Sequence, residues 1–181
     1  MREIQETLAC LRNEPLSDMW RYAGRQKFEF GVQRPFRNRK GVVTTRADRG
    51  LVVSCDWRLW AYEELILSAS DFGPGTARRD GDGEGFYDEL GVFPPLVEQI
   101  EVLEQGGIRL VLSRGYILEI IPNGGGEYRE GFLEGEQWRF MPKEEAADQV
   151  VLTDAGMEYV EADEFTALVA TSMASRKPAT V

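Results

Sequence analysis

The chain has 181 residues, 43% of them apolar, and a formal net charge of −10. This length and apolar share suit one α+β domain with a proper core, built as one unit or from two similar halves. The charge argues against a nucleic-acid binder, which needs clustered Lys and Arg to neutralise phosphates. It suits plain solubility, and also docking onto a basic partner. No apolar run approaches the ~20 residues of a membrane span. The start Met-Arg-Glu-Ile-Gln-Glu lacks signal-peptide character, so the expected location is cytoplasmic. Cys10 and Cys55 lie in apolar-patterned segments and are expected to be reduced, small core residues.

In chain order, Ile4, Leu8 and Leu11 recur at helical spacing and predict an N-terminal helix over Arg2 to Asn13, ended by Pro15. Met19 to Ala23 is ambiguous between strand and turn. Phe28, Phe30 and Val32 alternate and predict a strand with those three inward. Arg34 to Lys40 reads as a basic loop, and Val42 to Thr45 as a short β-branched strand. Leu51, Val53 and Cys55 share a face, which Trp57 and Leu59 extend if no bulge intervenes. Leu65 to Ser70 is another short strand.

Residues 71–91 are polar and glycine-rich, a mobile loop by composition. Val97 to Leu103 then leads into the strongest signal in the chain, two alternating strands joined at Arg114-Gly115. Ile108, Leu110 and Leu112 share one face of the first, and Tyr116, Leu118 and Ile120 one face of the second. Glu136 to Phe140 is compact and aromatic. Val150 to Leu152 is a strand, with Gly156 to Val160 as its candidate partner. A short C-terminal helix is expected from Asp163, and 173–181 as a disordered tail. The predicted architecture is therefore mostly antiparallel β-meander sheets with two terminal helices. One domain would span 1–172, with halves at 19–71 and 97–160. The halves echo one another: Arg49-Gly50-Leu51-Val52 matches Arg114-Gly115-Tyr116-Ile117, and Asp56-Trp57-Arg58-Leu59 matches Gln137-Trp138-Arg139-Phe140.

The chain has no histidine, which removes Ser-His-Asp and Cys-His catalysis and His-containing metal sites. The two cysteines lack zinc-ligand spacing, and no phosphate-binding glycine motif is present. Asp80-Gly81-Asp82-Gly83-Glu84-Gly85 begins like a calcium loop, but Gly91 stands where a bidentate Glu is required. No metal, cofactor or catalytic residue is therefore assigned. Asp56, Asp71 and Glu136 are the carboxylates weighed for a hydrolytic pair, without spacing that brings any two together. Trp57-Arg58 and Trp138-Arg139 are candidate binding positions, because strand alternation sends each Trp and the following Arg to opposite faces. Glu127, Glu130, Glu134 and Glu136 form the candidate acidic contact patch for a basic protein.

Phe28-Glu29-Phe30-Gly31, the run Gly50 to Arg58, Ser68-Ala69-Ser70-Asp71, Leu118 to Pro122 and Glu136 to Arg139 together resemble a group of small bacterial domains, akin to immunity proteins of bacterial toxin systems. The resemblance covers roughly Met19 to Tyr159. It implies this fold and a bacterial origin, and transfers no catalytic residue; the absence of histidine and of a nucleophile motif makes a non-enzymatic binding protein, such as a toxin-neutralising immunity protein, the expected function. The alternatives are a small-molecule-binding or carboxylate-dependent hydrolytic domain, and a structural or oligomer-forming protein.

Overall fold

The structure, a computed structural model, describes residues 1–22, 25–37, 41, 43–72, 86, 90–124, 132–142 and 148–161. Helix α1 (Arg2–Leu8) opens the chain and tightens into a 3-10 turn at Ala9–Leu11. Thirteen strands follow among the described residues: β1 (Leu16–Tyr22), β2 (Arg25–Phe30), β3 (Arg34–Arg37), β4 (Val43–Arg46), β5 (Arg49–Val53), β6 (Asp56–Ala61), β7 (Glu64–Ser68), β8 (Val97–Val102), β9 (Ile108–Leu112), β10 (Tyr116–Ile121), β11 (Glu136–Met141), β12 (Gln149–Thr153) and β13 (Gly156–Val160). One sheet has the order β1-β2-β5-β11-β12-β13 and another β7-β6-β10-β9-β8, while β3 and β4 form a separate two-stranded ribbon. Every described strand pairing is antiparallel. The inward side chains of both large sheets, with Ile4, Leu8 and Leu11 from the N-terminal helical segment, form one apolar cluster. No described helix is long and apolar enough to cross a membrane.

The two halves of the chain are interleaved in the sheets. The segment β1-β2-β5 lies in the six-stranded sheet and continues as β6-β7 in the five-stranded one. The segment β8-β9-β10 lies in the five-stranded sheet and continues as β11-β12 in the six-stranded one. Exchanging the two segments therefore maps each sheet onto the other, with β3-β4 and β13 as additions. The ladders agree in detail. Trp138 lies opposite Val53, as Trp57 lies opposite Ile120, and both tryptophans are buried. β1 and β8 each begin with a register shift, at Leu16/Asp18 and Val97/Gln99, and an isolated bridge joins Pro15 to Leu96. The Trp57/Trp138 match of the sequence echo falls on equivalent strands. The Arg-Gly match does not, because Gly50 sits within β5 opposite Glu29 whereas Gly115 lies in the β9–β10 turn.

Several local expectations change. Arg34 to Arg37 is a strand rather than a loop. Val32 is exposed, because β2 ends at Phe30 and Gly31 turns the chain at φ +100°. The run from Leu51 to Trp60 is two strands in different sheets, broken at Ser54-Cys55. Cys10 is exposed, whereas Cys55 is buried and both are free thiols. The expected C-terminal helix and tail, and positions 73–85 and 87–89 of the expected mobile loop, lie outside the described residues.

Candidate functional site

The sequence candidates divide between interior and surface. Trp57 is a core residue, edge-on to Phe28 at 5.3 Å and tilted against Phe72 at 5.7 Å. Trp138 is buried and donates its indole N–H to the Gly106 carbonyl at 2.9 Å. Arg139 is buried as well. Its Nη2 and Nε donate to both carboxylate oxygens of Glu136, at 2.7 and 3.1 Å, and its Nη1 donates to Gln149 at 3.1 Å. Glu136 also accepts the Leu133 N–H, so its carboxylate belongs to the interior rather than to a solvent-facing patch. The reason lies in the sheet. β2, β5, β11 and β12 have both faces covered, and their outward row includes Lys27, Val52, Arg139 and Val151, all buried. Phe132 covers Arg25 and Arg139 there, and Trp20 lies over Lys27. Burial pushes Lys27 below the usual lysine range, and its 2.7 Å bond to Glu29 opposes that shift.

Glu134 is exposed, and Glu127 and Glu130 lie outside the described residues. Asp56 is exposed, while Asp71 accepts from the N–H and hydroxyl of Ser68 and so caps a turn. Among the described residues no cluster of three carboxylates or thiols is placed to hold a metal ion. Arg58 points outward from the five-stranded sheet, in a cross-strand row with Glu119, Arg109 and Glu101 of alternating charge. The outward side chains of this row are exposed or half-buried. Along the adjoining row, Leu65, Trp60, Ile117 and Val111 present apolar surface, and the Trp60 indole donates to Glu119 at 2.9 Å.

That apolar row leads to one end of the sheet, where unusual backbone and exposed apolar side chains coincide. β6 and β7 are joined by Tyr62-Glu63, since Ala61 pairs with Glu64. Both turn residues have positive φ, 48° and 73°. That is the primed-turn geometry that right-twisted hairpins prefer, but it is normally supplied by Asn-Gly and is strained for Tyr and Glu. In the neighbouring β9–β10 turn Arg114 is also left-handed, at φ 64°. Gly115 is required there: its φ is +77°, and a Cβ would fall 2.6 Å from the Tyr62 ring. The Tyr62 N–H donates to the Gly115 carbonyl at 3.0 Å, Arg114 donates to the Phe93 carbonyl, and Ser113 and Leu96 exchange hydrogen bonds. The three connections are thus tied together. They display Tyr62 (77% exposed), Phe93 (69%) and Val92 (68%), with Leu65 and Leu96 beside them. These are five of the ten exposed large apolar side chains among the described residues. Glu63 and Glu64 rim the patch. Nothing in the sequence flags Tyr62-Glu63 as a turn, because neither residue is turn chemistry.

No family model, curated protein or solved structure matches the chain.

Proposed function

We propose that this chain is a non-enzymatic binding protein of the toxin-neutralising immunity kind. It docks a basic partner protein, in the cytoplasm, through the end of the five-stranded sheet formed by Tyr62, Leu65, Val92, Phe93, Leu96 and Arg114. The observation that carries this reading is that strained non-glycine turns and exposed apolar side chains fall at one place. Strain is retained where it does something, and an apolar patch with a polar rim is the usual form of a docking site. Tyr and Arg, which anchor many interfaces, sit at its centre. The partner's basic character follows from charge: a chain of net charge −10 with Glu63 and Glu64 beside the patch speeds encounter with an oppositely charged surface.

The test is affinity capture from the native host with the full chain as bait, followed by binding of the purified partner to Tyr62→Ala/Phe93→Ala. Loss of about tenfold or more in affinity for a basic partner supports the reading. Undiminished binding by the double variant moves the interface elsewhere and sinks this assignment. Capture only of a second copy favours the oligomer-forming alternative. Turnover of a generic ester, phosphate or glycoside with nothing captured favours the hydrolytic one.

A further inference from the structure

The exchange that maps one large sheet onto the other leaves one position unmatched. β12 pairs with the strand carrying Trp138 as β7 pairs with the strand carrying Trp57, so β12 and β7 are counterparts. In the six-stranded sheet β13 lies beyond β12, antiparallel, with Gln149 opposite Val160 and Thr153 opposite Gly156. In the five-stranded sheet β7 is the last strand, and no described strand pairs with its outer edge. β13, together with the cover on the outward face, buries all five residues of β12, whereas in β7 only Leu67 is buried.

Three features of that edge say what fits it. The first is the backbone. An edge strand turns alternate N–H and C=O groups away from its sheet and is a template for one more strand. Lys or Pro often blocks such an edge, and β7 (Glu64–Ser68) has neither; its one irregularity is Ile66, which the register against β6 leaves without a partner. The Ser68 N–H is taken by Asp71 at 2.6 Å, so the open stretch runs from Glu64 to Leu67. The second is continuity. Leu65 belongs both to β7 and to the proposed docking patch, and the apolar row of Leu65, Trp60, Ile117 and Val111 runs inward from this edge. A strand added beside β7 lengthens that row by one side chain. The third is charge. Glu63 and Glu64 are exposed at the hairpin end of β7, and no Lys or Arg falls between Leu59 and Phe72. Arg58 sits one strand in, between Ser68 and Glu119.

We infer that the free edge of β7 takes a short, extended, basic segment of the partner protein as a sixth strand, in the place that β13 holds beside β12. The inference rests on the docking reading above for its partner and adds how that partner is held. Main-chain hydrogen bonds along Glu64 to Leu67 supply the grip, and an apolar side chain beside Leu65 extends the outward row. A Lys or Arg of the segment at the hairpin end meets Glu63 and Glu64.

The test is amide-resolved nuclear magnetic resonance of the isotope-labelled full chain, titrated with three peptides. One is acetyl-Lys-Val-Thr-Val-Lys-amide, one is the same peptide N-methylated at its three central residues, and one has Glu in place of each Lys. The first is expected to shift the amides of Glu64 to Leu67 and to bind about tenfold or more tightly than either of the others, since N-methylation keeps the charge but removes the ladder donors. Glu64→Lys, at an exposed position, is expected to weaken the Lys peptide about fivefold and to strengthen the Glu peptide by a similar factor. No shift along β7 with the Lys peptide on the order of 10 mM, equal binding of the N-methylated peptide, or shifts confined to β1, β8 or β13, overturns the inference. So does a Glu64→Lys variant that ranks the peptides as wild type does. The docking reading fails separately. Undiminished partner binding by Tyr62→Ala/Phe93→Ala removes the patch while a peptide seated on β7 keeps the added strand. Partner binding lost in that variant with no peptide seated on β7 keeps the patch and removes the strand.

Discussion

Replacing Tyr62-Glu63 by Asn-Gly should make the protein more stable and less able to bind. Each left-handed non-glycine residue at this turn costs on the order of 1 kcal/mol, so relief at both positions returns about 2 kcal/mol. The glycine takes back about 0.5–1 kcal/mol through the freedom it adds to the unfolded chain. Tyr62 is 77% exposed, so about a quarter of its surface is covered, and losing that cover costs about 0.5 kcal/mol. The hydrogen bond from residue 62 to the Gly115 carbonyl is made by the backbone and survives. The balance is a gain of about 0.5–1 kcal/mol. Urea denaturation followed by circular dichroism, with the slope unchanged, reads it as a higher midpoint. The same variant should bind the captured partner about tenfold or more weakly, since the aromatic anchor is gone. Opposite signs for stability and binding mark a turn kept strained for its surface. A less stable variant, or one that binds as well as wild type, refutes that reasoning.

Leu118→Ala should cost about 2–5 kcal/mol in urea denaturation, because Leu118 is fully buried between Leu59 and Leu110. Ile117→Ala, one residue along on the outward face, should cost under about 1 kcal/mol; equal losses would mean the faces are misassigned. Arg139→Met should cost about 3–5 kcal/mol by stranding the Glu136 carboxylate in the interior, and Arg139→Met/Glu136→Leu should recover most of that loss. Burial pushes the Cys55 thiol from 9.0 up to about 12. The unfolded chain therefore loses that proton first, and stability falls with rising pH between those values, by about 1.4 kcal/mol per unit. Relative to wild type, Cys55→Ala should gain about 2 kcal/mol on going from about pH 8 to about pH 10.5; an unchanged difference would show an accessible thiol.

The β9–β10 hairpin was readable from its residues because one face of the five-stranded sheet is packed and the other is open. Apolar and polar positions must then alternate, and Leu110, Leu112, Leu118 and Ile120 are all buried. The six-stranded sheet hides its pattern for the opposite reason. All six residues of β2 are buried, including Lys27 and Glu29, so charge there does not mean surface. The same cover takes Glu136 and Arg139 inside, against the habit of their residue types. The break at Ser54-Cys55 is invisible to periodicity. Both sheets face one core, so Leu51, Val53, Cys55, Trp57 and Leu59 keep alternating inward while the chain changes sheet. The exposed apolar patch was out of reach because it depends on three connections meeting in space, and its key turn carries residues that turn chemistry disfavours.

Amide hydrogen exchange of the full chain, free and bound to its captured partner, tests the central claim most directly. The account places new protection on Tyr62 to Leu65, Val92 to Leu96 and Ser113 to Tyr116, with little change across β2, β11 and β12. Protection confined to the β3–β4 ribbon or to β13, with the Tyr62 and Phe93 segments unchanged, would contradict it.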